Sequence, residues 1–253
     1  MSQLPTRSLS ITQGLILSNV AVFLLGAVLP SMPAIFGIPY SRAAETESVL
    51  FIRGAYSWYT CFMEGELWRL ISYQFLHAGV IHILFNMWVL YQFGPLVEER
   101  FGPKRYLVFY LACGVAGALF SSLLAGLGFF YSAVDPVQLA YTTNALATYT
   151  GTPGLEFWQL VPMVGASAGI FGVLVAVAYM YPYMRITLLI PPVTLTMRTF
   201  ALLILAFAVV TVLTNGNNAG GEAGHLGGII LAAIIMTIWR MRHSSRDWHD
   251  NTF

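Results

Sequence analysis

Gly165-Ala166-Ser167-Ala168-Gly169-Ile170-Phe171-Gly172 places one serine among small residues at the head of a long apolar run. A hydroxyl in such a setting is poorly hydrated and needs a polar partner. The strongest candidate is His225, near the head of another apolar run. The pair reads as a nucleophile and its base, working inside a membrane.

The rest of the chain supports that setting. Of 253 residues, 57% are hydrophobic and 9% are charged, against about 25% charged in a soluble domain. A membrane-spanning helix needs about 20 mostly apolar residues. Six runs qualify: Ile11–Leu29, Val80–Leu96, Tyr106–Ala125, Val164–Met184, Thr196–Leu213 and Ala223–Trp239. The expected fold is an all-α polytopic membrane protein, a six-helix bundle over residues 11–239. A seventh stretch, Ile186–Ile190, is short and meets Pro191-Pro192, so it reads as a loop or re-entrant piece. No small-residue cleavage pattern follows the first run, which therefore reads as a retained helix. No basic stripe exists that would bind nucleic acid. Cys61 is expected in a loop and Cys113 inside a helix, and they are not expected to pair.

Lys and Arg set the orientation. With the N-terminus cytoplasmic, the inner segments carry Arg7, Arg100, Lys104, Arg105, Arg185, Arg198, Arg240, Arg242 and Arg246, while the outer ones carry Arg42, Arg53 and Arg69. That asymmetry places both termini inside, with residues 1–10 and the basic tail 240–253 cytoplasmic. Two external loops are long. The first, about residues 30–79, is rich in aromatic residues and is expected to lie in the membrane interface. The second, about residues 127–162, has no Lys or Arg and reads as irregular.

Apart from Arg198, at the inner end of the fifth run, the charged or imidazole-bearing residues within the spans are His82 and His225. Polar groups at membrane depth default to functional roles. The second, fourth and sixth helices all run inward from the outer face. Each carries its polar residue (His82, Ser167, His225) a few positions from its start, roughly 5–10 Å deep at 1.5 Å per residue. Gly220, Gly224, Gly228 and Ala232 recur every four residues along the sixth helix, and Gly165, Gly169 and Gly172 give the fourth a small face. Such faces let helix backbones approach closely, which would bring Ser167 beside His225. The alternative is ordinary packing with hydrogen-bonded polar residues.

A serine hydroxyl needs a base to take its proton, and a neutral imidazole serves near pH 7. A carboxylate often orients the imidazole. Asp135, Asp247 and Asp250 all fall outside the spans. Glu222, three residues before His225, is within reach in principle, but an acid in a first helical turn is sufficiently explained by the helix dipole. The reading is therefore a dyad. Phe171, one turn beyond Ser167, is placed either to stack on the imidazole or simply to pack. His82, Asn86 and the Ser167 N–H are candidate oxyanion donors; an interhelical hydrogen bond is the plainer role for Asn86. His77 reads as an interface or loop residue, and His243 and His249 fall on the opposite side of the membrane. No metal or cofactor site is expected, there being no H-E-x-x-H pattern.

Three separated blocks resemble the rhomboid family of intramembrane serine proteases. Glu66-Leu67-Trp68-Arg69 is similar to the family's Trp-Arg motif and continues into His77, His82, Asn86, Gly94 and Glu98. Gly165-Ala166-Ser167 resembles its nucleophile motif, and Gly224-His225-Leu226-Gly227-Gly228 its base-bearing last helix. The resemblance implies that Ser167 is the nucleophile, His225 the general base, and Asn86 and His82 oxyanion ligands. It implies that Trp68 and Arg69 anchor the first loop among lipid headgroups. The implied partners are the bilayer and transmembrane protein substrates, cut near the outer face. Ala168, Phe171, Gly224 and Ala232 depart from the family's common glycine, tyrosine, alanine and glycine, all by shape-compatible changes. The compact frame points to a bacterial plasma membrane.

A catalytically inactive rhomboid-like binder of transmembrane clients is the competing reading, and the presence of both Ser167 and His225 argues against it. A transporter would want polar residues through the whole bilayer, whereas here they stop in the outer layer.

Overall fold

In a computed structural model, which describes residues 9–28, 48–130, 156–188 and 192–243, the chain is a helical bundle. It comprises α1 (Ile11–Val28), α2 (Val49–Gly54), α3 (Arg69–Ser72), α4 (Val80–Phe101), α5 (Pro103–Gly126), α6 (Ser167–Met180), α7 (Met197–Leu213) and α8 (Ala219–His243). α4, α5 and α8 are long and apolar enough to cross a bilayer; α1, α6 and α7 are apolar but shorter.

Local chemistry sets the boundaries. Pro103 stands at the first position of α5 after Gly102, whose φ of +75° turns the chain between α4 and α5. Thr196 caps α7 by accepting a hydrogen bond from Thr199 N at 3.2 Å. Glu98, in the last turns of α4, caps α1 from outside: its oxygens accept from Ile11 N at 2.7 Å and Thr12 N at 2.9 Å.

α6 sits at the centre. It is apolar all round, as a helix enclosed by others must be, and Ala168 through Ile170 and Gly172 through Val177 are buried. α4, α5, α7 and α8 pack around it. Leu84, Phe85, Trp88, Val108, Leu202 and Phe207 stay exposed on the outside of the bundle. That is an apolar surface a bilayer covers and water does not tolerate.

Several boundaries differ from the sequence expectation. α4 continues through Pro95 to Phe101, five residues past Leu96. α6 covers only 14 residues of the expected Val164–Met184. Its missing first turn is irregular, with Gly165 at φ +128°, and the chain just before it is held by the Tyr56–Met163 bridge (Tyr56 N to Met163 O 3.1 Å, Met163 N to Tyr56 O 2.7 Å). The stretch after α6 forms a small antiparallel hairpin, β1 (Arg185–Thr187) with β2 (Thr194–Thr196), so the fold is not wholly α. α8 runs on to His243, into the segment read as a tail. Asp135, Asp247, Asp250 and His249, most of loop 127–162, much of the first loop, and nearly all of segments 1–10 and 240–253 lie outside the described residues.

The described part of the first loop, from residue 48, is tied down by side-chain bonds to its own backbone. Trp68 is exposed, and its Nε1 donates to Arg53 O at 3.1 Å. Arg69 corrects the expectation. It does not reach for headgroups but is buried, donating from Nη1 to Ile52 O at 3.0 Å and Ala55 O at 2.6 Å and pairing with Glu66. A guanidinium with several fixed donors suits carbonyls from two neighbouring turns. Cys61 lies buried in a π-helical turn and Cys113 inside α5, both as free thiols.

Candidate active site

Ser167 is the first residue of α6, so its N–H has no partner within the helix and lies at the helix's positive end. Its Oγ lies 2.8 Å from Nε2 of His225, on α8. Phe171, one turn on along α6, stacks on the imidazole with ring centroids 4.0 Å apart and planes at 7°. The structure thus brings together the three residues that the sequence places on two separate helices.

It adds one that the sequence alone assigns to the helix dipole. Glu222 Oε2 lies 2.9 Å from His225 Nδ1. The side chains of Glu222 and His225 are 11% and 13% exposed, so neither is freely solvated. Glu222 is indeed in the first turn of α8, but its carboxylate is not spent on the helix dipole alone. The signal is present as the three-residue spacing, which puts both side chains on one helix face.

The other side of the serine is bounded by α4 and the chain leading into α6. Gly165 has φ +128°, a region that a side chain resists. A Cβ there would lie 3.0 Å from His82 Nε2 and 3.6 Å from Ser167 Oγ. That space, bounded by the imidazole of His82 and the serine hydroxyl, exists because residue 165 has no side chain. Gly165 N donates to Tyr73 O at 3.0 Å, which holds the turn in place. Asn86, one turn beyond His82, has its Nδ2 2.9 Å from His77 Nε2, and the His77 and His82 rings meet edge-on at 4.9 Å. His77, read from the sequence as a loop or interface residue, is buried beside the site. Burial and the neighbouring His82 push its pKa down from 6.5 to about 4. No spacing rule marks it, because its place depends on how the first loop folds back.

The glycine faces work differently from the expected face-to-face match. Gly228 of α8 packs on the Ala168 carbonyl of α6, as expected. Gly169 and Gly172, however, face α5: a Cβ would lie 2.9 Å from Tyr110 Cε2 at the first and 2.6 Å from Cys113 Sγ at the second. Gly224 faces the flexible end of Met163. Gly117 of α5 fills the junction of all three helices, where a Cβ would lie 2.5 Å from Ala168 Cβ and 2.7 Å from Gly224 O.

A hydroxyl hydrogen-bonded to a stacked imidazole, with hydrogen-bond donors across a small space, is suited to attack on a carbonyl carbon. Comparison with known proteins agrees. The chain is 28% identical over 177 residues to the rhomboid protease GluP of Bacillus subtilis (strain 168), covering 68% of this chain and 27% of that protein. It is 41% identical over 78 residues to RHOMBOID-like protein 2 of Arabidopsis thaliana, covering 31% and 25%. It is 36% identical over 76 residues to the Inactive RHOMBOID-like protein 8 of Arabidopsis thaliana, covering 30% and 22%. The matches thus span about a quarter of the length of these curated relatives. A family model described as the Rhomboid domain matches residues 64–242. That interval contains Trp68, His77, His82, Asn86, Ser167, Glu222 and His225, and the chain belongs to the rhomboid family.

Proposed function

We propose that the protein is an intramembrane serine endopeptidase that cuts transmembrane segments of other membrane proteins near the extracytoplasmic face. The carrying observation is the 2.8 Å contact of Ser167 Oγ with His225 Nε2. Family membership and the apolar helices make the chain an integral membrane protein. The proposed arrangement is finer: six spans, both termini cytoplasmic, in a bacterial plasma membrane.

The length of α6 supports a submerged site open to water. Its 14 residues reach about 21 Å at 1.5 Å per residue, short of the roughly 30 Å hydrocarbon core. A helical substrate in lipid has its backbone already paired, so exposing a peptide bond there is expensive. A wet pocket lowers that cost, and segments containing Gly, Ser or Pro unwind most readily.

In the proposed reaction Ser167 Oγ attacks the substrate carbonyl carbon while its proton passes to His225 Nε2. Asn86, His82 and the Ser167 N–H receive the negative oxygen. Collapse breaks the C–N bond, and His225 hands the proton to the departing amine. Water, deprotonated by His225, then hydrolyses the ester and restores the serine.

The competing reading, an inactive client binder, draws on the similarity to a relative named inactive. Purified protein in liposomes with a transmembrane reporter separates the two. Cleavage and fluorophosphonate labelling, both abolished in Ser167→Ala, support the protease. An intact chain that neither cleaves nor labels, or a Ser167→Ala variant that cleaves as before, refutes it.

A further inference from the structure

We infer that Glu222 is a positioning residue for the reaction, the third member of a Ser167–His225–Glu222 triad in which its carboxylate fixes the tautomer and orientation of the base. The inference rests on the proteolytic reading of the site.

The argument is one of donors and acceptors. An ionised carboxylate only accepts hydrogen bonds. With Glu222 Oε2 2.9 Å from His225 Nδ1, the bond requires the proton on Nδ1. A neutral imidazole then has its lone pair on Nε2, the atom that faces Ser167 Oγ at 2.8 Å. The carboxylate therefore selects the one neutral form able to take the serine proton. A flip of the ring by half a turn would put a carbon where each nitrogen stands and break both contacts. Once the proton has moved, the imidazolium lies against a carboxylate instead of being an isolated cation in a poorly solvated pocket.

Phe171 and Glu222 divide the task. Stacking at 4.0 Å and 7° holds the ring plane, but an aromatic face does not distinguish one nitrogen from the other. Glu222 supplies that distinction. It lies in the first turn of a 25-residue helix, where the helix dipole favours an anion. Its backbone is fixed by Glu222 N donating to Asn218 O at 3.0 Å. A buried carboxylate without a partner is costly, and the structure gives this one the imidazole.

The test uses the full chain in detergent or liposomes with Glu222→Gln, which keeps the shape and removes the charge. Reporter cleavage gives kcat and KM, and [15N]histidine spectra, with His225→Ala to assign the signal, report which ring nitrogen carries the proton. Expected are a fall in kcat of about 10²-fold, below the 10⁴ of a soluble triad because Phe171 still holds the ring, with KM and thermal stability unchanged. The His225 signal should also lose its predominance of the Nδ1–H form. Turnover within twofold of the parent, an unaltered tautomer, or a loss of rate that tracks a loss of thermal stability would each overturn the inference. If the parent chain itself neither cleaves nor labels, the proteolytic reading fails and takes this inference with it. An active parent with an equally active Glu222→Gln variant sinks the triad alone.

Discussion

His77 Nε2 accepts a hydrogen bond from Asn86 Nδ2 at 2.9 Å, which commits one of the two Asn86 amide hydrogens. The bond needs a neutral His77. With its pKa pushed down from 6.5 to about 4 by burial and the nearby His82, the folded protein refuses a proton that the unfolded chain takes up. Stability should therefore fall as pH drops from 6.5 toward 4, by up to about 3 kcal/mol. Replacing His77 with glutamine, which has no such titration, should flatten that part of a stability-versus-pH curve measured by thermal unfolding in detergent.

Gly165→Ala should abolish cleavage. The new methyl meets a backbone at φ +128°, a strain of about 1–3 kcal/mol, and enters the space between His82 and Ser167 Oγ. Fluorophosphonate labelling should be lost together with reporter cleavage; a variant that labels at the parent rate would show that this space is not where the oxyanion sits.

Gly224 and Gly228 lie one turn apart on α8 but should respond differently to alanine. At Gly228 the methyl meets the Ala168 backbone, which cannot move aside; at Gly224 it meets the end of the Met163 side chain, which can. Gly228→Ala should cost about 1–3 kcal/mol and Gly224→Ala clearly less. Unfolding in a denaturing detergent titration measures both, and equal losses would contradict the packing described.

Arg69→Ala should destabilise the first loop by about 3 kcal/mol, because it strands the Ile52 and Ala55 carbonyls and leaves the partly buried Glu66 carboxylate only its 3.6 Å contact with Arg53. Arg69→Lys should not rescue it, since one ammonium does not span both carbonyls and the carboxylate. Limited proteolysis of residues 48–79 in detergent checks this, and the result should not depend on the presence of lipid headgroups.

The apolar runs are legible because a bilayer demands long uncharged segments, and each of the six overlaps a helix. Ser167, His225 and Phe171 are legible as neighbours because a hydroxyl and an imidazole near the heads of such runs are costly at membrane depth unless they engage each other. What escapes depends on tertiary detail. Glu222 satisfies a helix dipole and an imidazole equally well, so its position in the sequence does not separate the two. The four-residue glycine period shows which faces are small, yet not that Gly169 and Gly172 turn toward Tyr110 and Cys113 of α5. Arg69 beside Trp68 has the look of a headgroup anchor until the loop folds its own carbonyls around it.

The junction at Gly117 limits how this molecule can admit a visitor. A Cβ on Gly227 would lie 2.5 Å from Ala116 O and 2.8 Å from Gly117 Cα, and Gly228 rests on Ala168. The rod bearing the imidazole is wedged between two others with less than a methyl's clearance. It cannot slide or roll without tearing that joint and carrying His225 away from Ser167. Any breathing that lets a bulky helix approach must be borne by parts less tightly locked. α7, with Leu202, Phe207, Val210 and Leu213 facing outward, takes no part in that junction.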